Sequence, residues 1–408
     1  MPGENDVADY TEVVLFLATA GVVVPIFRRF KLSPVLAFLG AGVVLGPSGL
    51  GGFQDELPWL RYVTMKSSAS MDQLAEFGVV FLLFAIGLEL SWERLWTMRR
   101  FVFGLGASQV FICAAAIGSV AMMLGQDPVG AVVLGSALAL SSTAIVMPLL
   151  AEQKRQLSRP GRATFSVLLM QDLAVAPILV TIVFLGGYRG ETFSPRLLLA
   201  FAPAVLGLLG LVVLGRVVLR PMMRSVAKAD SEELFIAASL LVVVGAGLMA
   251  AMSGLSMALG AFVAGLLLAE TEYRKQIEKT VKPFQGLLLG LFFVSIGIGL
   301  DLSLVSKRPA LVVAMLLSLI LLNGSIIFGL GRLFGLRSTA AVETALLLSG
   351  SGEFAFVILH SAVKEKLLDH QLVQTVLASS TLSMFCIPLL AAAGAAISRS
   401  TRGMKKQG

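Results

Sequence analysis

Apolar segments follow one another along almost the whole chain, and the short stretches between them carry most of the charged residues. Thirteen of these segments approach the ~20 residues that a helix needs to cross the hydrocarbon core of a bilayer. Backbone groups in lipid must be satisfied within their own segment, so each segment is predicted to be a helix. The predicted helices cover residues 9–27, 33–47, 72–90, 101–124, 128–151, 161–187, 197–220, 232–252, 255–270, 284–302, 309–332, 338–361 and 370–397.

Composition indicates that lipid is the main solvent of this chain. Of its 408 residues, 57% are hydrophobic and 14% are charged, whereas a soluble domain has roughly 25% charged residues. The alternating ~10-residue segments of a membrane β-barrel do not occur. The predicted fold class is therefore an all-α polytopic membrane protein. The net charge of +7 does not indicate nucleic-acid binding, because the basic residues form short clusters between apolar segments.

The positions of the basic residues predict the orientation of the chain, since cytoplasmic loops are enriched in Lys and Arg. If the N-terminus lies outside and the loops alternate, 24 of the 32 Lys and Arg residues fall on the inside. This bias predicts a cytoplasmic C-terminus, and a bacterial inner membrane is the expected location. It also places no basic residue in the middle of a predicted helix.

Three short sequence matches, each between predicted helices that are seven apart, indicate an internal repeat. The matched segments are 36–46 with 259–269, 86–90 with 298–302, and 137–143 with 345–352. An odd offset means that matched helices cross the membrane in opposite directions, as in the inverted repeats of secondary transporters. The predicted domains are a first six-helix repeat at 1–187, a linker helix at 188–231, a second six-helix repeat at 232–397 and a basic cytoplasmic tail at 398–408.

One carboxylate stands out by its depth. Asp172 lies ten residues beyond Arg162, which is ~15 Å along a helix and about half of a ~30 Å hydrocarbon core. A charge at that depth is costly and indicates function. Because no Lys or Arg lies at the same depth, Asp172 is predicted to bind a proton and a monovalent cation, K⁺ or Na⁺, in turn.

Oxygen-bearing residues near Asp172 in the predicted fold suit an alkali cation, and no His or Cys cluster indicates a transition metal or another cofactor. Gln171 and Thr143 are candidate ligands. Ser141 and Ser142 could equally bind the cation or form hydrogen bonds that pack the helices. Prolines within two predicted helices free carbonyl groups at Ala144 and Leu173. The predicted supporting residues are Pro148, Pro177, Ser349, Ser351, Glu353 and Ser380.

Two further features concern the twelfth predicted helix. Ser349-Gly350-Ser351-Gly352 is a predicted break in the twelfth helix, and discontinuous helices are expected to cross at the membrane midplane near the ion. Glu353, the second carboxylate near the middle of a span, is predicted to have a structural role. Its charge would be stabilised by the N-terminal end of the second half of its own helix.

The motifs of this chain resemble those of the monovalent cation:proton antiporter-2 family, and most closely its Kef-type potassium/proton exchangers. The matching segments include SSTAIVMPLL (141–150), FSVLLMQDLAVAP (165–177), PFQGLLLGLFFVSIGIGLDL (283–302) and GEFAFVIL (352–359). The resemblance implies a sodium/proton antiporter-like fold, a homodimer, and an elevator movement of a core domain. It also implies a regulatory nucleotide-binding domain or subunit outside this sequence.

The expected function is electroneutral K⁺/H⁺ exchange, because Gln171 followed by Asp172 is typical of the electroneutral potassium/proton members that the chain resembles. A Na⁺/H⁺ antiporter is the close alternative, since oxygen ligands do not rank the two cations. A channel-like K⁺ efflux pathway is the more distant one. An enzyme is not expected, because no nucleophile is paired with a base in this sequence.

Overall fold

The computed structural model describes residues 4–29, 33–65, 69–90, 96–187, 202–229, 231–253 and 255–404. The described residues form helices and turns only. The α-helices are α1 (Glu4–Ala18), α2 (Val24–Arg29), α3 (Pro34–Leu45), α4 (Ala69–Glu89), α5 (Ala107–Met123), α6 (Pro128–Leu138), α7 (Thr143–Glu152), α8 (Arg159–Gly187), α9 (Ala202–Lys228), α10 (Glu232–Met252), α11 (Met257–Ala269), α12 (Arg274–Gly299), α13 (Leu302–Lys307), α14 (Pro309–Leu333), α15 (Ser338–Leu348), α16 (Phe354–Lys364) and α17 (His370–Met404). Short π-helical segments join α1 to α2 and precede α5.

The predicted all-α membrane fold is confirmed, and every predicted span coincides with a helix or a pair of helices. Eight helical segments among the described residues are long and apolar enough to cross a bilayer, so thirteen crossings stay a prediction. Residues 197–201 of the seventh predicted span and 405–408 of the predicted tail lie outside the described residues.

Two predicted spans are broken in the middle, and only the break in the twelfth span was predicted. The first break separates α6 from α7, where Ser142 adopts an extended backbone at φ −80° and ψ 107°. The second separates α15 from α16 at the alternating Ser and Gly residues 349–352. Ser competes with the helix through its own hydrogen bonds, and Gly loses the most backbone freedom in a helix. Both segments therefore terminate a helix more readily than the apolar residues around them.

Equivalent turns recur in the two halves of the chain. Lys154 after α7 and Lys366 after α16 have φ of 52° and 57°, and Gly125 after α5 and Gly335 after α14 have φ of 91° and 86°. The members of the pairs lie 212 and 210 residues apart. A left-handed residue commonly ends a helix, and two matched pairs are what an internal repeat produces. The domain boundaries themselves stay predictions.

Glycine allows close packing between the halves at two matched places. A Cβ at Gly42 of α3 would overlap the carbonyl oxygen of Val294 in α12, and a Cβ at Gly265 of α11 would overlap that of Phe84 in α4. Small residues let helix backbones approach in membranes. In the predicted inverted repeat, α3 corresponds to α11 and α4 corresponds to α12. The contact of α3 with α12 in the structure therefore corresponds to the contact of α11 with α4.

The helices fall into two groups by their packing. The first group contains α3, α4 and α10–α12, and the second contains α5–α8 and α14–α17. Close backbone approaches are frequent within each group. Between the groups, the described residues make few of them, among which is a contact of α8 with α11. Both broken helices belong to the second group, so that group carries the candidate site.

Candidate ion-binding site

The two helix breaks lie against each other and are joined by hydrogen bonds. The amide of Gly352 donates to the carbonyl of Leu140 at 2.8 Å, and the hydroxyl of Ser141 donates to the carbonyl of Leu348 at 2.7 Å. Both acceptors lie at or near the C-terminal end of a half-helix, where carbonyls lack a partner within the helix. The broken helices therefore satisfy part of each other's exposed backbone, as predicted for discontinuous helices that cross.

The crossing leaves no room for a side chain at Gly352, because a Cβ there would overlap the carbonyl oxygen of Ser141. Gly352→Ala should therefore destabilise the protein by about 1–3 kcal/mol, the usual cost of overpacking, seen as a lower midpoint of thermal unfolding in detergent. The matched control is Gly324→Ala in α14, whose Cβ would meet that of Ser349 at an ordinary 3.5 Å. Equal midpoints for the two variants would contradict this account of the crossing.

Buried amide side chains satisfy the C-terminal end of α6. Asn323 in α14 donates to the carbonyl of Leu138 at 3.0 Å, and Gln109 in α5 donates to that of Ala139 at 2.9 Å. Both side chains are almost fully buried. Neither was identified from the sequence, although each is an amide residue within an apolar span. That signal could have found them, because buried polar groups in membrane helices need a specific partner.

Gln171 is part of the same network. Its side-chain oxygen accepts a hydrogen bond from the amide of Ser141 at 2.9 Å, and its side-chain nitrogen donates to Oε1 of Gln109 at 2.8 Å. In this conformation the amide group of Gln171 thus supports the backbone of the first break. Its predicted role as a cation ligand stays a prediction.

Asp172 lies one residue further along α8 and is 8% exposed. Its Oδ1 accepts a hydrogen bond from the hydroxyl of Thr143 at 3.0 Å. Thr143 is the first residue of α7, so the carboxylate faces the N-terminal end of that half-helix, where anions are stabilised. The two ion pairs among the described residues, Arg155–Glu343 and Arg220–Glu272, do not include Asp172.

Glu353 reaches the same end of α7 from the second break. Its Oε2 accepts from the hydroxyl of Ser142 at 2.6 Å, and its Oε1 accepts from the amide of Ala144 at 3.0 Å. Glu353 is also the N-cap residue of α16 but makes no side-chain cap hydrogen bond there, so its expected stabilisation by that helix stays a prediction. The crossing brings α7 closer, and Glu353 caps the other broken helix. Two carboxylates therefore converge on residues 142–144.

The prolines have different surroundings. Pro148 lies inside α7, and the carbonyl of Ala144 that it frees accepts a 3.4 Å hydrogen bond from the hydroxyl of Ser33. Ser33 precedes α3, so this bond joins the two groups of helices beside the site. Pro177 lies inside α8, five residues after Asp172.

The remaining predicted serines lie in the second break or in α17, which packs against it. Ser349 donates to the carbonyl of Leu346 at 3.2 Å, and the amide of Ser351 donates to the hydroxyl of Ser383 at 3.0 Å. Ser383 in turn donates to the carbonyl of Ser380 at 2.7 Å. Ser351 and Ser380 are thus linked through Ser383 of α17, whereas Ser349 bonds to α15, and none of these hydrogen bonds reaches Asp172. Ser383 was missed in the sequence because serine is common in spans.

Comparison with known proteins identifies the family. Residues 14–392 match the family described as sodium/hydrogen exchanger, transmembrane. The chain belongs to the sodium/hydrogen exchanger family. The resemblance to monovalent cation:proton antiporters that the motifs indicated is thereby confirmed. This membership agrees with the multi-pass membrane fold that the apolar segments predicted.

Two similar proteins come from Arabidopsis thaliana. The chain is 43% identical over 390 residues to K(+) efflux antiporter 2, chloroplastic, and 42% identical over 389 residues to K(+) efflux antiporter 1, chloroplastic. Each match covers 93% of this chain and 32% of the relative. The chain thus spans about a third of the length of these curated relatives.

Solved structures confirm the fold expected of a sodium/hydrogen exchanger. A structure of the sodium proton antiporter MjNhaP1 from Methanocaldococcus jannaschii at pH 8 matches with a TM-score of 0.67 at 16% identity, covering 97% of this chain and 99% of that one. An electron-microscopy structure of MjNhaP1 matches with a TM-score of 0.64 at 18% identity, covering 98% and 99%. At these identities the likeness concerns the fold alone.

Proposed function

We propose that this protein exchanges K⁺ for H⁺ at Asp172, one for one and without net charge transfer. The observation that carries the proposal is a buried carboxylate that has a hydroxyl neighbour in Thr143 and no ion-pair partner among the described residues. Asp172 lies beside the point where the two broken helices cross, and the chain belongs to the sodium/hydrogen exchanger family. Both facts support ion transport. The relatives named K(+) efflux antiporters favour K⁺ as the cation.

The fixed ratio follows from the single charge. A bare carboxylate is costly inside a hydrocarbon layer. In this proposal Glu353 keeps its donors Ser142 and Ala144 and its charge state throughout the cycle. Asp172 has the hydroxyl of Thr143 as its donor, so it crosses the barrier only when a proton or a cation neutralises it. Two positive charges on one carboxylate would leave an equally costly net charge. Each movement in one direction therefore carries one K⁺, each return carries one H⁺, and the exchange is electroneutral.

The residues around Asp172 have two roles in this mechanism, binding the cation and positioning its ligands. Asp172 and Thr143 supply side-chain oxygens to a partly dehydrated cation, and oxygens of Ser141, Ser142 and the broken backbone complete the ligand set. Hard oxygen ligands suit an alkali cation. Gln171 positions Ser141, and Glu353 holds the start of α7 next to Asp172.

The movement we propose is an elevator-type displacement of α5–α8 and α14–α17 relative to α3, α4 and α10–α12. Dense packing within each group and sparse contact between them support it. Such a unit fits a homodimer in a bacterial inner membrane, with the N-terminus outside and the C-terminus in the cytoplasm. A regulatory nucleotide-binding domain or subunit would be supplied from outside these 408 residues.

Na⁺/H⁺ exchange at the same carboxylate is the second candidate. The description of the matched family as sodium/hydrogen exchangers favours it. Proteoliposomes that hold a pH dye separate the two, if gradients of K⁺, Na⁺, Rb⁺ and Li⁺ are imposed in turn. We expect proton movement at lower concentrations of K⁺ than of Na⁺.

Electroneutrality is tested in the same vesicles with a potential-sensitive dye. During K⁺-driven proton movement the dye signal should stay flat, and collapse of the membrane potential should leave the exchange rate unchanged. A sustained current under voltage without proton counter-movement would instead identify a channel. A potential that develops during exchange would contradict the one-for-one ratio.

A further inference from the structure

One face of α9 is exposed from Leu206 to Lys228, first with apolar and then with basic side chains. The exposed apolar residues are Leu206, Leu209, Val213 and Val217, which are 56–67% exposed. Their spacing of three and four residues keeps them on one side of a helix. The same spacing continues the face through three basic residues, Arg220, Arg224 and Lys228.

Arg216 lies beside this face, four residues before Arg220. Its position makes a basic row at intervals of four residues, Arg216, Arg220, Arg224 and Lys228, and each of these side chains is exposed. Side chains four residues apart are neighbours on a helix. The row therefore presents four positive charges on one side of α9.

The opposite side of α9 is the one that packs on the protein. Leu211 and Met223 are buried, and a Cβ at Gly215 would press on the side chain of Leu267 in α11. The exposed face is thus left to the surroundings in the described part of the chain.

Among the described residues, one acid forms an ion pair with the basic row. Arg220 pairs with Glu272 at 3.2 Å, and both side chains remain more than half exposed. Neither ion pair among the described residues includes Arg216, Arg224 or Lys228. The row keeps an excess of positive charge, which would attract an anion.

The dimensions of the face fit a lipid molecule. From Leu206 to Val217 the apolar part extends ~17 Å at 1.5 Å per residue, close to the ~15 Å of hydrocarbon in one leaflet. The basic part begins where that length ends, at the depth of the headgroups. A soluble anion would use the charges and leave the apolar part without a partner.

We propose that this face of α9 binds an anionic phospholipid, with its acyl chains along Leu206–Val217 and its phosphate at Arg216, Arg224 and Lys228. Basic residues close to a membrane surface attract anionic headgroups. The predicted orientation places this site in the cytoplasmic leaflet. The proposal concerns binding alone and does not depend on the ion that Asp172 carries.

The test is native mass spectrometry of the full chain in detergent with equal amounts of phosphatidylglycerol and phosphatidylcholine. We expect retained phosphatidylglycerol to exceed phosphatidylcholine by about tenfold or more, since each basic residue at a membrane surface contributes roughly fivefold. The triple variant Arg216→Gln, Arg224→Gln and Lys228→Gln should lose most of this preference. It keeps the Arg220–Glu272 pair, and exposed positions should leave the thermal midpoint unchanged.

The matched control removes three exposed basic residues from the same predicted side, as Lys275→Gln, Lys279→Gln and Arg337→Gln. It should keep the preference for phosphatidylglycerol. An equal loss in the control, or no loss in the α9 variant, would overturn the proposal. So would displacement of the lipid by excess inorganic phosphate, which indicates a plain anion site. A dimer that the α9 variant dissociates without any change in bound lipid would assign the face to a second copy instead.

Discussion

Asp172→Asn should abolish cation-driven proton exchange in proteoliposomes, with a loss of at least ~100-fold. Asn keeps the size of Asp and can still accept a hydrogen bond from Thr143, which lies 3.0 Å from the carboxylate. It carries no charge, so it can neither bind a proton in this pH range nor balance a cation. Pyranine fluorescence inside the vesicles, after a K⁺ gradient is imposed, measures the rate.

Asp127→Asn is the matched control for this prediction. Asp127 is exposed and caps α6 by accepting from the amides of Val129 and Gly130 at 3.0 and 3.2 Å. Asn caps a helix about as well as Asp, so exchange should be unchanged. Undiminished K⁺-driven proton flux in Asp172→Asn would refute the site assignment.

Glu353→Ala should produce the second largest effect, a loss of roughly 2–4 kcal/mol of stability. The substitution removes a buried carboxylate that accepts from Ser142 and Ala144, and leaves both donors without their partner. Hydrogen bonds to charged groups contribute about 1.5–3 kcal/mol each, and unpaired buried donors are costly. Thermal unfolding in detergent measures this change, and exchange should fall because α7 no longer holds Thr143 beside Asp172.

Glu233→Ala provides the comparison for the effect of burial. Glu233 also lies at the start of a helix and accepts from a serine hydroxyl, that of Ser231 at 2.8 Å, but the pair is exposed. Exposed interactions of this kind contribute little, so this variant should unfold within about 0.5 kcal/mol of the parent. A similar midpoint for both variants would contradict the capping role of Glu353.

Glu353→Gln separates capping from proton transport. Gln retains one acceptor oxygen, so stability should fall less than in the Ala variant. A capping residue carries no proton through the cycle, and the variant should therefore keep the one-for-one ratio of K⁺ to H⁺ at a reduced rate. A changed ratio would show that Glu353 titrates during exchange, and the single-carboxylate mechanism would be wrong.

The sequence alone determined the positions of the helices, because lipid forces each apolar segment to satisfy its own backbone. It also located the helix break at residues 349–352, where Ser and Gly interrupt an apolar run. The isolation of Asp172 from basic residues could be predicted as well, since the tally of charges showed none at its depth. These features depend on local composition and on the cost of a charge in hydrocarbon.

Tertiary structure alone decided how the site is held together. Glu353 contacts Ser142 across 211 residues of sequence, and Asn323 reaches Leu138 across 185. No local propensity specifies such partners, because they arise only when the two broken helices cross. The same crossing brings the amide group of Gln171 to the backbone of Ser141 and the carboxylate of Glu353 to the start of α7. The sequence thus determined which polar groups need a hydrogen-bond partner in lipid. The crossing of the two broken helices decided which groups supply those partners.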